Sequence, residues 1–269
     1  RLVWGERTYL MGIVNATPDS FSGDGRATTS SAVEHAVAQF RASAEILDIG
    51  AESTRPGHTP IEEQTELARL IPVVEQTRSA LGDAPIISAD TFKPAIFRAA
   101  HVAGADVLNS IWGLSDALLT AAVECDAPVI IMHNKAVPVY ERDCMDEVLA
   151  FLEEAANRAV RAGIPQQHVI LDPGIGFGKS PDQNIAVLGA LDRLVALGFP
   201  TLLGTSRKST IGKLTGREAN ERTFGTAATV ALGIAAGIDI VRVHDVAEIR
   251  DVISVSDAIE RGWRPQPWT

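Results

Sequence analysis

Short apolar runs recur along the chain, each followed by a polar or glycine-containing break and then by a longer stretch with helical spacing. The runs are Tyr9–Val14, Ala44–Ile49, Pro85–Ala89, Asp106–Leu108, Pro128–Met132, His168–Leu171, Thr201–Leu203 and Ile238–Val243. Each is too short for an ordinary helix, and the alternation reads as successive βα units. The helical segments between and after them are Ser31–Ala42, Ile61–Leu81, Pro94–Ala103, Ser115–Cys125, Met145–Ala162, Asp182–Leu197, Glu221–Ala236 and Val246–Ile259. Gly82, Gly104, Gly163 and Gly198 follow several of them, where a left-handed residue ends a helix.

Parallel strands joined by right-handed helical crossovers either close into a barrel or stay open as a doubly wound sheet. Eight units favour closure, so the expected fold is α/β, a single (βα)8 TIM barrel over residues 1–269. Leu2–Trp4 and Arg7–Tyr9, flanking Gly5-Glu6, suggest a short N-terminal hairpin covering the barrel's amino-terminal end. Arg264–Thr269 reads as an irregular tail.

Composition narrows the class of molecule. With 46% hydrophobic residues in 269, the chain has ample surface for one core. Cys125 and Cys144 form no CxxC pair, which argues against a thiolate metal site and fits a reducing cytoplasm. A formal net charge of −10 argues against a nucleic-acid surface. No run of 18 apolar residues suggests a membrane span, and Arg1–Tyr9 lacks the features of an export signal.

Chemistry gathers after the apolar runs. Asn15 to Gly25 follows the first, and Asp48 with Glu52-Ser53-Thr54-Arg55-Pro56-Gly57 the second. Asp90-Thr91, Asn109, His133 and Asp172-Pro173-Gly174 follow the third to sixth. Ser206-Arg207-Lys208-Ser209 and Arg242-Val243-His244-Asp245 follow the last two. In a barrel these positions converge on the face where such enzymes hold their active sites. One Asp or Asn alone is as well explained as a helix cap; eight coincident placements are not. Asp90 and Asp172 in an apolar mouth need donors to stay ionised, and an amino-substituted heterocycle presents them. Arg242, His244, Lys208 and Arg55 supply the opposite sign at the rim, matching a phosphorylated or carboxylated substrate; Arg207 joins them near strands seven and eight.

Blander readings stand beside these. The segment Asp172 to Gly178 is a tight turn on composition alone, Arg207-Lys208-Ser209 a solvated helix start, and His133 a core histidine bonded to backbone. His35, His58, His101 and His168 read as surface or packing residues.

The ordered motifs Met11-Gly12-Ile13-Val14-Asn15-Ala16-Thr17-Pro18-Asp19-Ser20-Phe21-Ser22, Asp48-Ile49-Gly50-Ala51-Glu52-Ser53-Thr54-Arg55-Pro56-Gly57, Leu171-Asp172-Pro173-Gly174, Ser206-Arg207-Lys208-Ser209 and Arg242-Val243-His244-Asp245 closely resemble those of the dihydropteroate synthases over nearly the whole length. The resemblance implies Mg²⁺-dependent condensation of 6-hydroxymethyl-7,8-dihydropterin diphosphate with 4-aminobenzoate, giving 7,8-dihydropteroate and diphosphate. It places Asp90, Asn109, Met132, Asp172, Phe177, Gly204 and Lys208 around the pterin, and Asn15, Arg55, Arg242 and His244 at the diphosphate, with Asn15 as Mg²⁺ ligand. Phe21, Thr54, Pro56 and Ser209 fall at the aminobenzoate, and Lys208, Arg242, His244, Asp19 and Arg55 carry catalysis.

The expected partners are these small molecules, with a homodimer through outer helices late in the chain. Sulfonamides imitate 4-aminobenzoate, so changes near Phe21, Pro56, Phe177 or Ser209 would alter inhibition. Losing Lys208 or Arg242 is expected to cost at least about a hundredfold in turnover without unfolding the chain.

The chain departs from the family pattern at three places: Asn109-Ser110 replaces Asn-Asp, Ser22-Gly23-Asp24-Gly25 replaces Ser-Asp-Gly-Gly, and Met132-His133-Asn134 replaces Met-His-Met. A pterin-binding methyltransferase acting on methyltetrahydrofolate would share the acidic floor but not need the diphosphate clamp. A non-catalytic pterin-binding paralogue would lose Asn15, Lys208 or the rim cations, all of which are present.

Overall fold

The computed structural model describes residues 2–17, 25–52 and 61–266, those of 25–28 through the backbone alone. Every run read as a strand is one: β1 (Tyr9–Asn15), β2 (Ile46–Gly50), β3 (Ile86–Asp90), β4 (Val107–Ser110), β5 (Val129–Met132), β6 (Val169–Asp172), β7 (Leu202–Leu203) and β8 (Ile240–Val243). Around them lie α1 (Gly25–Arg41), α2 (Glu63–Leu81), α3 (Pro94–Val102), α4 (Asp116–Glu124), α5 (Cys144–Arg161), α6 (Pro181–Leu188), α7 (Leu191–Val195), α8 (Ser209–Thr215), α9 (Thr223–Ala235) and α10 (Val246–Glu260).

The strands are all parallel, in the order β6-β5-β4-β3-β2-β1-β8-β7. A parallel bridge between Leu171 and Thr201, with the Leu171 amide donating to the Pro200 carbonyl at 2.9 Å, joins β6 to β7 and closes the ring. Strand alternation then sorts side chains to the two faces. Outward-facing Leu47, Ile49, Ile87, Leu108, Ile131, Leu171 and Val241 pack under the helices in the large core. Inside, Tyr9, Met11, Ile46, Val107, Ile130, Ile170, Leu202 and Ile240 form a separate apolar plug at the lower half of the barrel. Two residues further along β2, β3, β4, β5, β6 and β8 the same inward direction is taken by Asp48, Ser88, Asn109, Met132, Asp172 and Arg242. The plug thus forms the floor on which the polar groups stand.

Three expectations change. No N-terminal hairpin forms, because Trp4–Glu6 make a turn and residues 2–3 pair with no strand. The segment still covers the lower end: Leu2 and Trp4 pack on the plug, the Trp4 indole donates to the Gln167 carbonyl at 3.0 Å, and the Tyr9 hydroxyl accepts from the Val3 amide at 2.7 Å. The segment Asp182–Leu197 breaks at Gly189-Ala190 into α6 and α7. A further short helix, α8, follows β7 directly.

At the lower end the carboxylates are structural. Asp257 accepts from the Thr8 amide at 2.7 Å, Asp106 from the Ile87 amide at 2.8 Å and Asp239 from the Thr201 amide at 2.9 Å. Each satisfies a strand-entry N–H that would otherwise be buried unpaired.

Candidate active site

At the carboxyl ends of the strands an open cavity of about 340 Å³ is lined by Asn109, Ile111, Met132, Asp172, Ile175, Phe177, Gly204, Lys208 and Arg242. Seven of these were singled out from sequence; Ile111 and Ile175 were not.

Asp48, fully buried, organises the cavity wall. Its carboxylate accepts from Arg242 Nε at 2.6 Å, Ser88 Oγ at 2.7 Å and Asn109 Nδ2 at 3.1 and 3.2 Å. Arg242 starts one layer lower, paired with Met11, and its long side chain crosses the mouth to give a second bond to Asp90 Oδ2 at 3.0 Å. The guanidinium is thereby fixed on one edge, with Nη1 left without a partner among the described residues. These two carboxylates also alter one expectation: Arg242 holds the fold together as well as facing the cavity, because removing it would strand two buried charges.

Asp90 keeps its second oxygen, Oδ1, buried with no hydrogen-bond partner among the described residues. Burial and the nearby Asp48 push its carboxyl up to about 7 despite Arg242. Asp172 is also raised by burial, although the Gly174 amide donates to its Oδ1 at 2.7 Å. Its Oδ2 faces Gly204, where a side-chain carbon would lie 3.9 Å away and occupy the cavity. Both carboxyl groups are strained toward neutrality and gain from added N–H donors.

The Asp172–Gly178 segment is more than a turn. Gly174 (φ +69°) and Gly176 (φ +81°) take left-handed conformations, and a Cβ would strike the His133 carbonyl at the first and come within 2.8 Å of Lys208 Cδ at the second. That close approach lays Lys208 along the wall, with Nζ 3.8 Å from the Phe177 ring centroid. Burial and Arg242 press the Lys208 ammonium down to about 7, opposed by Asp172.

The rim differs from the sequence reading. His244 is no cation in the free protein: burial, Arg207 and Arg242 press its pKa to about 4, and its Nδ1 lies 2.9 Å from Ser206 Oγ. Arg207 pairs with Asp245 and turns from the cavity. His133 is a buried histidine whose side chain meets Lys179. Ser110, on the opposite face of β4 from Asn109, points away from the cavity, so the carboxylate missing there leaves the lining unchanged. Asn15 sits exposed at the end of β1, level with Gly50, Asp90 and Asn109 across four paired strands. Ser209 opens α8 on the exposed side of Lys208. Asp19, Phe21, Thr54, Arg55 and Pro56, with the altered first loop, lie outside the described residues.

Sequence and structure comparisons agree with this geometry. A family model described as pterin binding enzyme matches residues 11–244. The dihydropteroate synthase of Bacillus subtilis is 43% identical over 96% of this chain and 90% of its own. A Clostridium difficile dihydropteroate synthase structure determined with pteroic acid superposes with a TM-score of 0.93 at 43% identity, covering 97% of this chain and all of that one. The Xanthomonas albilineans enzyme with 4-aminobenzoic acid gives 0.90 at 42% identity, covering 97% and 95%. A matching model across most of the barrel, with relatives this similar over nearly full length, establishes that the chain belongs to the pterin binding enzymes and, within them, to the dihydropteroate synthases.

Proposed function

We propose that this cavity joins 6-hydroxymethyl-7,8-dihydropterin diphosphate to 4-aminobenzoate, forming 7,8-dihydropteroate and releasing diphosphate. The observation that carries the reading is that Asp172, Lys208 and Arg242 line one small cavity and that Arg242 reaches Asp90 at 3.0 Å, so two carboxyl groups raised by burial and two basic side chains meet there. A pterin ring supplies the N–H donors that the orphan oxygen of Asp90 and the free oxygen of Asp172 lack. Asn109, fixed by Asp48, reads a further ring edge, while Met132 and Phe177 enclose the ring faces and Gly204 leaves it room.

The reaction breaks the bond between the exocyclic methylene carbon and the diphosphate oxygen, which leaves with the electron pair, and forms one from that carbon to the arylamine nitrogen, which then releases one proton to solvent or to the departed diphosphate. An electron-rich dihydropterin shares the positive charge left on the methylene, so departure precedes attack and no strong general base is needed. Arg242, clamped by Asp48 and Asp90, meets the leaving anion without reorganising. Lys208 and His244 lie near neutrality and below it in the free protein; an anion at the lip raises both and draws protons onto them. Arg55 completes the diphosphate set, Asp19 acts with it, and Phe21, Thr54, Pro56 and Ser209 enclose the aminobenzoate.

Among the described residues no cluster of three His, Cys, Asp or Glu could hold a metal. The exposed amide of Asn15 nevertheless suits Mg²⁺, which keeps several waters and binds through substrate phosphates and one or two protein oxygens. When bound, Mg²⁺ would offset charge on the diphosphate.

The chain works as a single domain and as a homodimer in the cytoplasm. Phe224 and Leu232 on α9 and Val255 and Ile259 on the adjacent α10 expose large apolar side chains suited to a second copy. No helix among the described residues is long and apolar enough to cross a membrane. The deciding assay supplies both substrates with Mg²⁺ and follows diphosphate and dihydropteroate together. Equal yields are expected. Methyl transfer from methyltetrahydrofolate without diphosphate release, or pterin binding without product, would replace this reading by the methyltransferase or the non-catalytic one.

A further inference from the structure

Lys179 carries a charge that the reaction above does not use. It is 9% exposed, just past the Asp172–Gly178 turn, and its ammonium contacts the Gly174 carbonyl at 3.0 Å, the Phe177 carbonyl at 3.2 Å and His133 Nδ1 at 3.0 Å. These take all three of its N–H bonds, and none is a carboxylate. His133 must accept at Nδ1, so it is neutral with its proton on Nε2; burial and the Lys179 charge hold its pKa near 3. Its ring is fixed against Tyr140 and Phe151, with centroids 6.1 and 5.2 Å away.

The same turn is held from its other side. Asn184 Oδ1 accepts from the Gly176 amide at 2.7 Å while its Nδ2 donates to the Ser180 carbonyl at 2.9 Å. Residues 174, 176 and 177 are therefore each pinned through backbone. Everything the turn gives the cavity depends on those pins: the Ile175 and Phe177 side chains, the Gly174 amide on Asp172, and the flat approach of Gly176 to Lys208. A buried ammonium is costly, and an apolar side chain would fill this space more cheaply if packing were its only role.

We infer that Lys179, with His133 as its acceptor, is a positioning residue that sets affinity for the pterin ring through the 174–177 turn without touching substrate. The inference rests on the pterin site proposed above.

Lys179→Met and His133→Leu test it. Steady-state constants for both substrates are measured with the calorimetric affinity for 6-hydroxymethylpterin, which lacks the diphosphate. Lys179→Met is expected to raise the pterin KM and Kd by about tenfold or more, the scale of a lost charged hydrogen bond. Its kcat stays within about threefold and its aminobenzoate KM within about twofold of wild type. His133→Leu, which removes one acceptor of three, gives the same signature at about threefold and carries the test if Lys179→Met does not fold. An unchanged pterin KM, or parallel changes in both KM values, overturns the inference. If the wild type itself binds no pterin, the functional reading falls first; if it binds and only the variants fail to differ, the positioning role falls alone.

Discussion

Replacing Asp90 by Asn should make the ligand-free protein more stable and a poorer enzyme. The carboxyl is buried beside Asp48 and Arg242 with its own Oδ1 unpaired among the described residues, and burial and Asp48 lift it from 3.8 to about 7 even with the guanidinium beside it. That rise corresponds to at most about 4 kcal/mol of unfavourable ionisation in the folded state. Asn has the same shape, keeps an acceptor for Arg242 and carries no charge, so relief of about half that, about 2 kcal/mol, is expected after relaxation. In a chain of this size 2 kcal/mol moves Tm by roughly 4–8 °C.

The sign with pH follows from the raised value. A carboxyl whose folded pKa exceeds its unfolded one contributes full stability below about 4 and loses it as pH rises through about 7. The advantage of Asp90→Asn therefore grows from pH 5 to pH 8 and levels off above. Urea denaturation of both proteins without ligand at pH 5, 6, 7 and 8 measures it. An Asn variant less stable than wild type at pH 8, or an advantage that does not grow with pH, refutes the reasoning. The same variant should bind pterin about 10- to 150-fold more weakly, the cost of a charged hydrogen bond.

Lys208→Ala should lower kcat at least about a hundredfold with no loss in urea midpoint, because its depressed ammonium makes no ion pair among the described residues. Arg242→Ala should lose comparable turnover and, unlike Lys208→Ala, about 3–5 kcal/mol of stability by stranding Asp48 and Asp90; an unchanged urea midpoint would contradict the clamp. Gly176→Ala places a Cβ at φ +81° against Lys208, and should cost about 1–2 kcal/mol and raise the pterin KM, read by denaturation and steady-state kinetics. Wild type should run as a dimer in light scattering and the double variant Phe224→Glu, Ile259→Glu as a monomer; a monomeric wild type would remove the α9–α10 interface.

The fold was largely legible because its signals are local. Buried parallel strands are short apolar runs, and the barrel brings the residue after each run to one face, so Asp90, Asn109, Asp172, Lys208 and Arg242 follow from order alone, whereas Met132 follows only from the family resemblance. What escaped depends on distant contacts. Asp48 stood out as a strand-end carboxylate, but its role comes from Arg242, 194 positions away. His244 looks cationic in sequence, but burial, and after it Arg207 and Arg242, lower its pKa to about 4. Lys179 lies one residue beyond the quoted turn, and only folding brings His133 to it. The helix α8 opens at Ser209, where the basic triplet reads as a helix start, but its seven residues are too few for periodicity to show its extent, and the Gly5-Glu6 turn has a strand, β1, on one side only.

A crystal structure with 6-hydroxymethylpterin diphosphate bound bears most directly on the central assignment. Ring nitrogens within about 2.7–3.2 Å of Asp90 Oδ1 and Asp172 Oδ2, with the diphosphate beside Arg242 and Lys208, are the predicted result. A pterin seated outside the cavity, or one whose ring leaves the Asp90 oxygen unpaired, would contradict it.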